Sequence, residues 1–261
     1  MTKKIQKFLA EQQPATPCLV MDLDLVADNF KKLRNAVPQA GIYYAVKANP
    51  APEILKLLAG MGSCFDVASV NEVEMALSTG VAADRVSFGN TIKKKSDIAA
   101  AYARGVRLYA FDSAAELEKI ADAAPGSRVF CRILTSGANA EWPLSRKFGC
   151  DPEMAVEVLD VAKRLGLEPC GISFHVGSQQ RKVKAWDRAL AMASQVFRDC
   201  AERGINLSMV NMGGGFPTKY LKDVPPVVTY GRSIFRALRK HFGNQIPETI
   251  IEPGQIGRAH V

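Results

Sequence analysis

From about residue 40 onward the chain repeats one pattern. A short run of apolar, β-branched or aromatic residues closes on a polar residue or a glycine, and a longer segment follows with apolar residues at every third or fourth position. The strand-like runs are "IYYAVKAN", "CFDVAS", "RVSFGN", "RLYAFDS", "RVFCRIL", "GISFHVGS", "SMVNMGGG" and "TIIEPG". Between them lie helical segments such as "APEILKLLAGMG", "KSDIAAAYARG", "PEMAVEVLDVAKRLG" and "AWDRALAMASQVFRDCAERG", several ending in the glycine typical of a position just past a helix. Strand and helix alternating in this way predict parallel βαβ units, and eight such units close most naturally into a (β/α)8 barrel. The runner-up α/β architecture is a doubly wound open sheet.

The barrel reading carries a positional expectation, because functional side chains of such barrels gather at the C-terminal ends of the strands. Those ends carry Lys47, Asp66, Asn90, Asp112, Arg132, His175, Ser178, Gly213, Gly214, Gly215, Glu252 and Gly254. Ahead of the barrel, "TPCLVMDLDLVADNFKKLRNAV" predicts a short strand, "CLVMD", and a helix with Leu25, Val26, Phe30, Leu33 and Val37 on one face. A ninth strand has no place in an eight-stranded barrel. It either covers the barrel end or belongs to another sheet.

Composition narrows the partners. The chain has 261 residues, 48% apolar and 23% charged, and no uncharged apolar stretch reaches the roughly 18 residues a membrane span needs. In the N-terminal "MTKKIQKFLAEQQPATP" only "FLA" is apolar, too little for a signal-peptide core. Six dispersed cysteines, with no CxxC pair and no His/Cys cluster, read as reduced thiols of a cytoplasmic protein and suggest no metal site. The formal charge of +8 comes from scattered lysines and arginines; the one compact run, "IKKKSD", reads as a solvated helix start. A small anionic molecule suits these charges better than nucleic acid.

Lys47 has two readings. It reaches the barrel mouth and pairs with a carboxylate such as Asp66, or it is an amine kept partly dry, with a lowered pKa, to form a Schiff base with an aldehyde. "FHVGSQ" adds His175 and Ser178. "NMGGGFP" supplies three successive glycines after an apolar strand, where backbone amides converge on an anion; neither a Walker loop nor a G-x-G-x-x-G fingerprint fits. "IIEPG" places Glu252 and Gly254 at the end of the eighth strand, and the loops after strands 7 and 8 of such barrels commonly bind phosphate. An amine, a histidine, a phosphate cradle and a carboxylate together describe a site for pyridoxal 5'-phosphate.

"YAVKAN", "FDVAS", "FHVGSQ", "GGGFP" and "EPG", in this order and spacing, closely resemble the fold-type III pyridoxal-phosphate decarboxylases that act on ornithine, lysine and diaminopimelate. The resemblance runs from about residue 15 to Gly254. "WPLSRKFG", "HVGSQ" and "GGGFPTKY" are most similar to the ornithine branch. The resemblance implies that Lys47 forms the Schiff base, that His175 stacks on the cofactor ring, and that Glu252 holds the pyridine nitrogen protonated. It further implies phosphate binding by Ser178, Gly213, Gly214, Gly215 and Gly254, pocket positions at Asp66, Glu72 and Arg132, and a subunit-interface position at Lys147. A small basic amino acid as substrate and a homodimer of the full-length protein follow from the same resemblance. Lysine or diaminopimelate decarboxylation, and a non-catalytic regulatory homologue, are the alternatives.

Family members continue well past "EPG", with an arginine directly after it and then a C-terminal β-domain. Here Gln255 follows, and "QIGRAHV" resembles the translation of a sequencing adapter. The expected organisation is therefore an N-terminal strand and helix over residues 1–38, a cofactor-binding barrel over 39–254, and an artificial tail over 255–261. The 1–38 strand is expected to pair with the absent β-domain, and such a fragment is expected to have low activity.

Overall fold

Short runs rich in β-branched and aromatic residues bury both faces when helices cover them, which is the environment of a parallel strand. The structure is a computed structural model describing residues 2–138, 140–142, 147–219 and 223–257. In chain order it contains α1 (Lys3–Gln12), α2 (Leu23–Ala36), β1 (Ala40–Ala45), α3 (Pro52–Gly60), β2 (Cys64–Val67), α4 (Val70–Leu77), β3 (Val86–Phe88), α5 (Lys95–Ala103), β4 (Leu108–Phe111) and α6 (Ala114–Ala123). There follow β5 (Arg128–Arg132), β6 (Ala140–Trp142), α7 (Pro152–Arg164), β7 (Glu168–Ser173), β8 (Ser178–Gln180), α8 (Ala185–Glu202), β9 (Met209–Asn211), α9 (Val227–Phe242) and β10 (Glu248–Ile251).

Eight of these strands close into a ring in the order β1-β10-β9-β7-β5-β4-β3-β2, every neighbouring pair parallel. Because β1 pairs with both β2 and β10, the open sheet is excluded. All eight strand-like runs of the sequence supply one barrel strand each. Tyr43, Leu108, Ala110, Phe130, Cys170, Met209 and Ile250 point into the barrel and fill it, while the alternate residues, among them Tyr44, Phe65, Tyr109, Phe111, Val129 and Ile251, pack against the helices.

Local signals start the helices where the pattern predicts. Asp22 caps α2 through its side chain and Ser69 caps α4, while Pro52 opens α3. α2 buries Val26, Phe30 and Leu33. It crosses α9 so closely at Gly231 that a Cβ there would overlap the Ala36 carbonyl oxygen. No helix among the described residues is long and apolar enough to cross a membrane.

The structure departs from the sequence reading at two places. "CLVMD" forms no strand: an isolated extended segment has no ladder to join, and Leu19 stands 72% exposed. The N-terminal residues instead form α1, which buries Ile5 and is tied to α2 by a Thr2 Oγ1 to Asp22 Oδ2 hydrogen bond of 3.0 Å. "IKKKSD" is solvated only in part, because the side chain of Lys93 is fully buried and lies 2.9 Å from Glu116 Oε1. Its ammonium also donates to the carbonyls of Asn90 and Ala110, so every proton of the buried charge has an acceptor. Outside the barrel, β6 and β8 pair antiparallel, a contact between three-residue segments that no periodicity announces.

Candidate active site

The two-residue period of the strands builds the barrel mouth. Counting two residues on from inward-facing Cys64, Phe130, Met209 and Ile250 gives Asp66, Arg132, Asn211 and Glu252, at or just beyond the C-terminal ends of their strands. The alternation that fills the barrel floor therefore also aims its polar rim. Lys47 joins them from a 3-10 turn, Val46–Ala48, that follows β1. It is not on the strand itself, and its side chain is 63% exposed.

Lys47 Nζ lies 3.6 Å from Asp66 Oδ2. The charges of Asp66 first and of Glu252 next hold the amine above its ordinary range, against burial and the repulsion of Arg132. This reverses the lowered pKa of the Schiff-base reading: two carboxylates on neighbouring strands outweigh desolvation. Asp66 itself is pushed up by burial and by Glu252, with Lys47 pulling the other way. Its Oδ1 is buried without a hydrogen-bond partner among the described residues, beneath Gly89, where any Cβ would strike it. Glu72 accepts the Ala68 amide at 2.7 Å and adds a further negative charge near Lys47.

Burial lowers the proton affinity of Arg132, whose guanidinium sits 5.5 Å from the centre of the Phe148 ring. Burial, then Arg132 and Lys47, push His175 down to about 3. His175 Nδ1 accepts the Gly177 amide at 2.9 Å, so the neutral ring carries its proton on Nε2.

The glycines make a turn with no room for side chains. A Cβ on Gly214 would lie 2.7 Å from the Glu252 carbonyl oxygen and 3.3 Å from His175 Nε2, and one on Gly213, at φ +62°, would overlap the Phe174 carbonyl. Neither Gly214 nor Gly215 donates its amide to any group among the described residues. Gly215 accepts from the Gln180 amide at 2.9 Å, which ties the turn to β8 and hence to Ser178. Gly254 packs against the Ala48 methyl, and the neighbouring Pro253 carbonyl accepts the Ala45 amide at 3.3 Å, so the turn carrying Lys47 and the end of β10 are joined.

Asn90 and Asp112 turn to local work, Asn90 Nδ2 donating to the Ile92 carbonyl and Asp112 Oδ2 accepting the Gly149 amide. Lys147 is exposed. Residues 143–146 of "WPLSRKFG", Tyr220 of "GGGFPTKY" and residues 258–261 of the expected tail lie outside the described residues. Asn211, absent from the sequence candidates, is fully buried and hydrogen-bonded to Glu252; its place two residues after Met209 in "SMVNMGGG" is the signal that could have found it.

The donor set suits one kind of group. Free amides at a glycine turn fit an oxyanion, an exposed amine fits an aldehyde, and an inward carboxylate fits a protonated ring nitrogen. A family model, the pyridoxal binding domain of pyridoxal-dependent decarboxylases, matches residues 23–259. The chain belongs to this family.

Among its relatives, the lysine/ornithine decarboxylase of Selenomonas ruminantium is 38% identical over 98% of this chain and 64% of that protein. The ornithine decarboxylase of Caenorhabditis elegans is 34% identical over 94% of the chain and 58% of that protein. The solved structure of SrLDC in complex with PLP and cadaverine superposes with a TM-score of 0.89 at 36% identity, covering 98% of this chain and 65% of that one. The chain thus spans under two thirds of the length of these relatives. The cofactor of this pyridoxal-binding domain is pyridoxal phosphate.

Proposed function

We propose that this domain serves an amino-acid decarboxylase acting on a small basic amino acid, converting L-ornithine to putrescine. The observation that carries the reading is the convergence of Lys47, Asp66, Arg132, His175 and Glu252 at one barrel mouth beside a glycine turn with free amides. Similarity to proteins named lysine/ornithine and ornithine decarboxylase supports the substrate class. The first of these names favours lysine as the second reading.

When bound, pyridoxal phosphate supplies an aldehyde and an electron-withdrawing ring, which stabilise the charge left when carbon dioxide departs. Lys47 would be the amine that holds the cofactor's aldehyde. Glu252 would face the ring nitrogen and keep a proton there. His175 offers a neutral aromatic face that adds no positive charge. Ser178 and the amides around Gly213, Gly214, Gly215 and Gly254 take the phosphate, while Asp66, Glu72 and Arg132 set the charge of the pocket. A cytoplasmic homodimer, with Lys147 at the subunit contact, completes the proposal.

Titration with pyridoxal 5'-phosphate tests it. A visible absorption band removed by borohydride and missing in Lys47→Ala is expected, and absence of the band overturns the reading. Comparing carbon dioxide release from L-ornithine, L-lysine and meso-diaminopimelate by the protein with its full natural coding sequence then decides the substrate.

A further inference from the structure

Asn211 ends β9 with its side chain fully buried, and both halves of its amide are used. Nδ2 donates to Glu252 Oε1, and Oδ1 accepts the Gly213 amide at 2.9 Å. The Glu252 amide in turn donates to the Gly213 carbonyl at 2.9 Å. These three bonds close a ring through Asn211, Glu252 and Gly213. The backbone of Asn211 is itself fixed on both sides, since it pairs with Ser173 of β7 and Ile250 of β10.

The chemistry allows one orientation of the amide. Turned over, its carbonyl would face the Glu252 carboxylate and its NH2 would face the Gly213 N–H, so acceptor would meet acceptor and donor meet donor. As placed, it occupies one oxygen of Glu252 and leaves the other for a different donor. It also holds the first residue of the glycine turn, whose next two amides donate to no group among the described residues.

We propose that Asn211 is a positioning residue that fixes the distance between the carboxylate serving the cofactor's ring nitrogen and the glycine turn serving its phosphate. The inference rests on the proposed roles of Glu252 and of the glycines. Asn211 touches neither end of the cofactor; it acts through the two groups that do. Aspartate keeps an acceptor for the Gly213 amide but brings no N–H to Glu252, and setting two carboxyl groups together restores the bridge only when one of them takes up a proton.

Ligand affinities separate this role from a merely structural one. Pyridoxal 5'-phosphate is compared with pyridoxal, which lacks the phosphate, and with the deaza analogue, which lacks the ring nitrogen, by equilibrium binding to the wild-type protein, Asn211→Ala and Asn211→Asp. Each ratio of affinities reports one end of the ligand. Asn211→Ala is expected to reduce both ratios by about ten-fold, the scale of a hydrogen bond to a charged group. Asn211→Asp is expected to reduce the ring-nitrogen ratio alone. If both variants weaken all three ligands in proportion, or leave both ratios unchanged, Asn211 is not a positioning residue. If Glu252→Gln leaves the ring-nitrogen ratio of the wild-type barrel unchanged, the assigned role of Glu252 fails instead, and the two failures are distinguishable.

Discussion

Lys47 and Asp66 face each other across the seam between β1 and β2, with Nζ 3.6 Å from Oδ2, while Oδ1 of the same carboxyl is buried with no hydrogen-bond partner among the described residues. The carboxyl is the largest influence on the amine's proton, ahead of burial and of Glu252. Asp66→Asn removes that influence and lets burial and Arg132 pull the amine down. The borohydride-trapped reaction of Lys47 with pyridoxal 5'-phosphate, followed against pH, is expected to reach its midpoint at lower pH in the variant. An unmoved midpoint would show that the amine does not feel Asp66.

His175 gives the fold a dependence on acid. Its ordinary pKa of about 6.5 applies in the unfolded chain, whereas burial, Arg132 and Lys47 push it down to about 3 in the folded one. Between these values the unfolded chain gains a proton that the folded chain refuses, so stability falls as pH falls, by up to about 1.4 kcal/mol per pH unit from this group. His175→Gln removes this contribution. Urea unfolding of both proteins between about pH 6.5 and about pH 4 is expected to show the variant losing stability less steeply.

Gly231→Ala sets helix propensity against packing. Alanine gains about 1 kcal/mol in a helix interior, but its Cβ would overlap a backbone oxygen of α2, and overpacking of that kind costs about 1–3 kcal/mol or more. The backbone cannot move as a side chain can, so packing wins and the melting temperature is expected to fall by several degrees. Gly60→Ala is the control, because nothing lies within 4 Å of a Cβ at that helix position. It is expected to leave the melting temperature unchanged or slightly raised.

Lys93 is a buried charge that burial pushes down to about 8 against the pull of Glu116. Lys93→Met leaves buried Glu116 with Lys119 and the backbone amide of residue 93 as partners and strips a donor from two carbonyls, a loss of about 1–3 kcal/mol at neutral pH. The sign with pH is opposite to that of an ordinary ion pair. From about pH 8 to about pH 10.4 the unfolded lysine holds a proton that the folded one has released, so the wild-type protein gains stability relative to the variant as pH rises. Denaturant titrations at pH 7 and pH 10 are expected to show the gap widening.

The barrel was legible because most of its strand-like runs end on a polar residue or glycine that breaks the apolar pattern, and several of the helical segments between them end before a glycine. Lys47, Asp66, Arg132, His175 and Glu252 were legible for the same reason, as costly residues at strand ends. What the sequence hid depends on partners distant along the chain. "CLVMD" has the composition of a strand, yet a strand exists only beside another. Lys93 sits in a run of three lysines, and nothing local distinguishes the buried one from the two exposed. Asn211 reads as an ordinary polar strand end until Glu252, 41 residues later, is placed beside it. The elevated proton affinity of Lys47 has the same origin, since it comes from carboxylates on other strands.

The ring of strands closes where β1 meets β10, with Ala40 opposite Thr249 and Ile42 opposite Ile251. Lys47 follows the first of these strands and Glu252 ends the second, so the seam that seals the barrel also brings the amine to the carboxylate. Pairing β1 with β10 joins segments far apart in sequence and so carries a large loop-closure cost. A partly folded chain whose last strand has not docked therefore holds its lysine without Glu252, and the Asn211 amide without the partner for its NH2. Closing this seam therefore sets Glu252 beside both the Lys47 amine and the Asn211 amide.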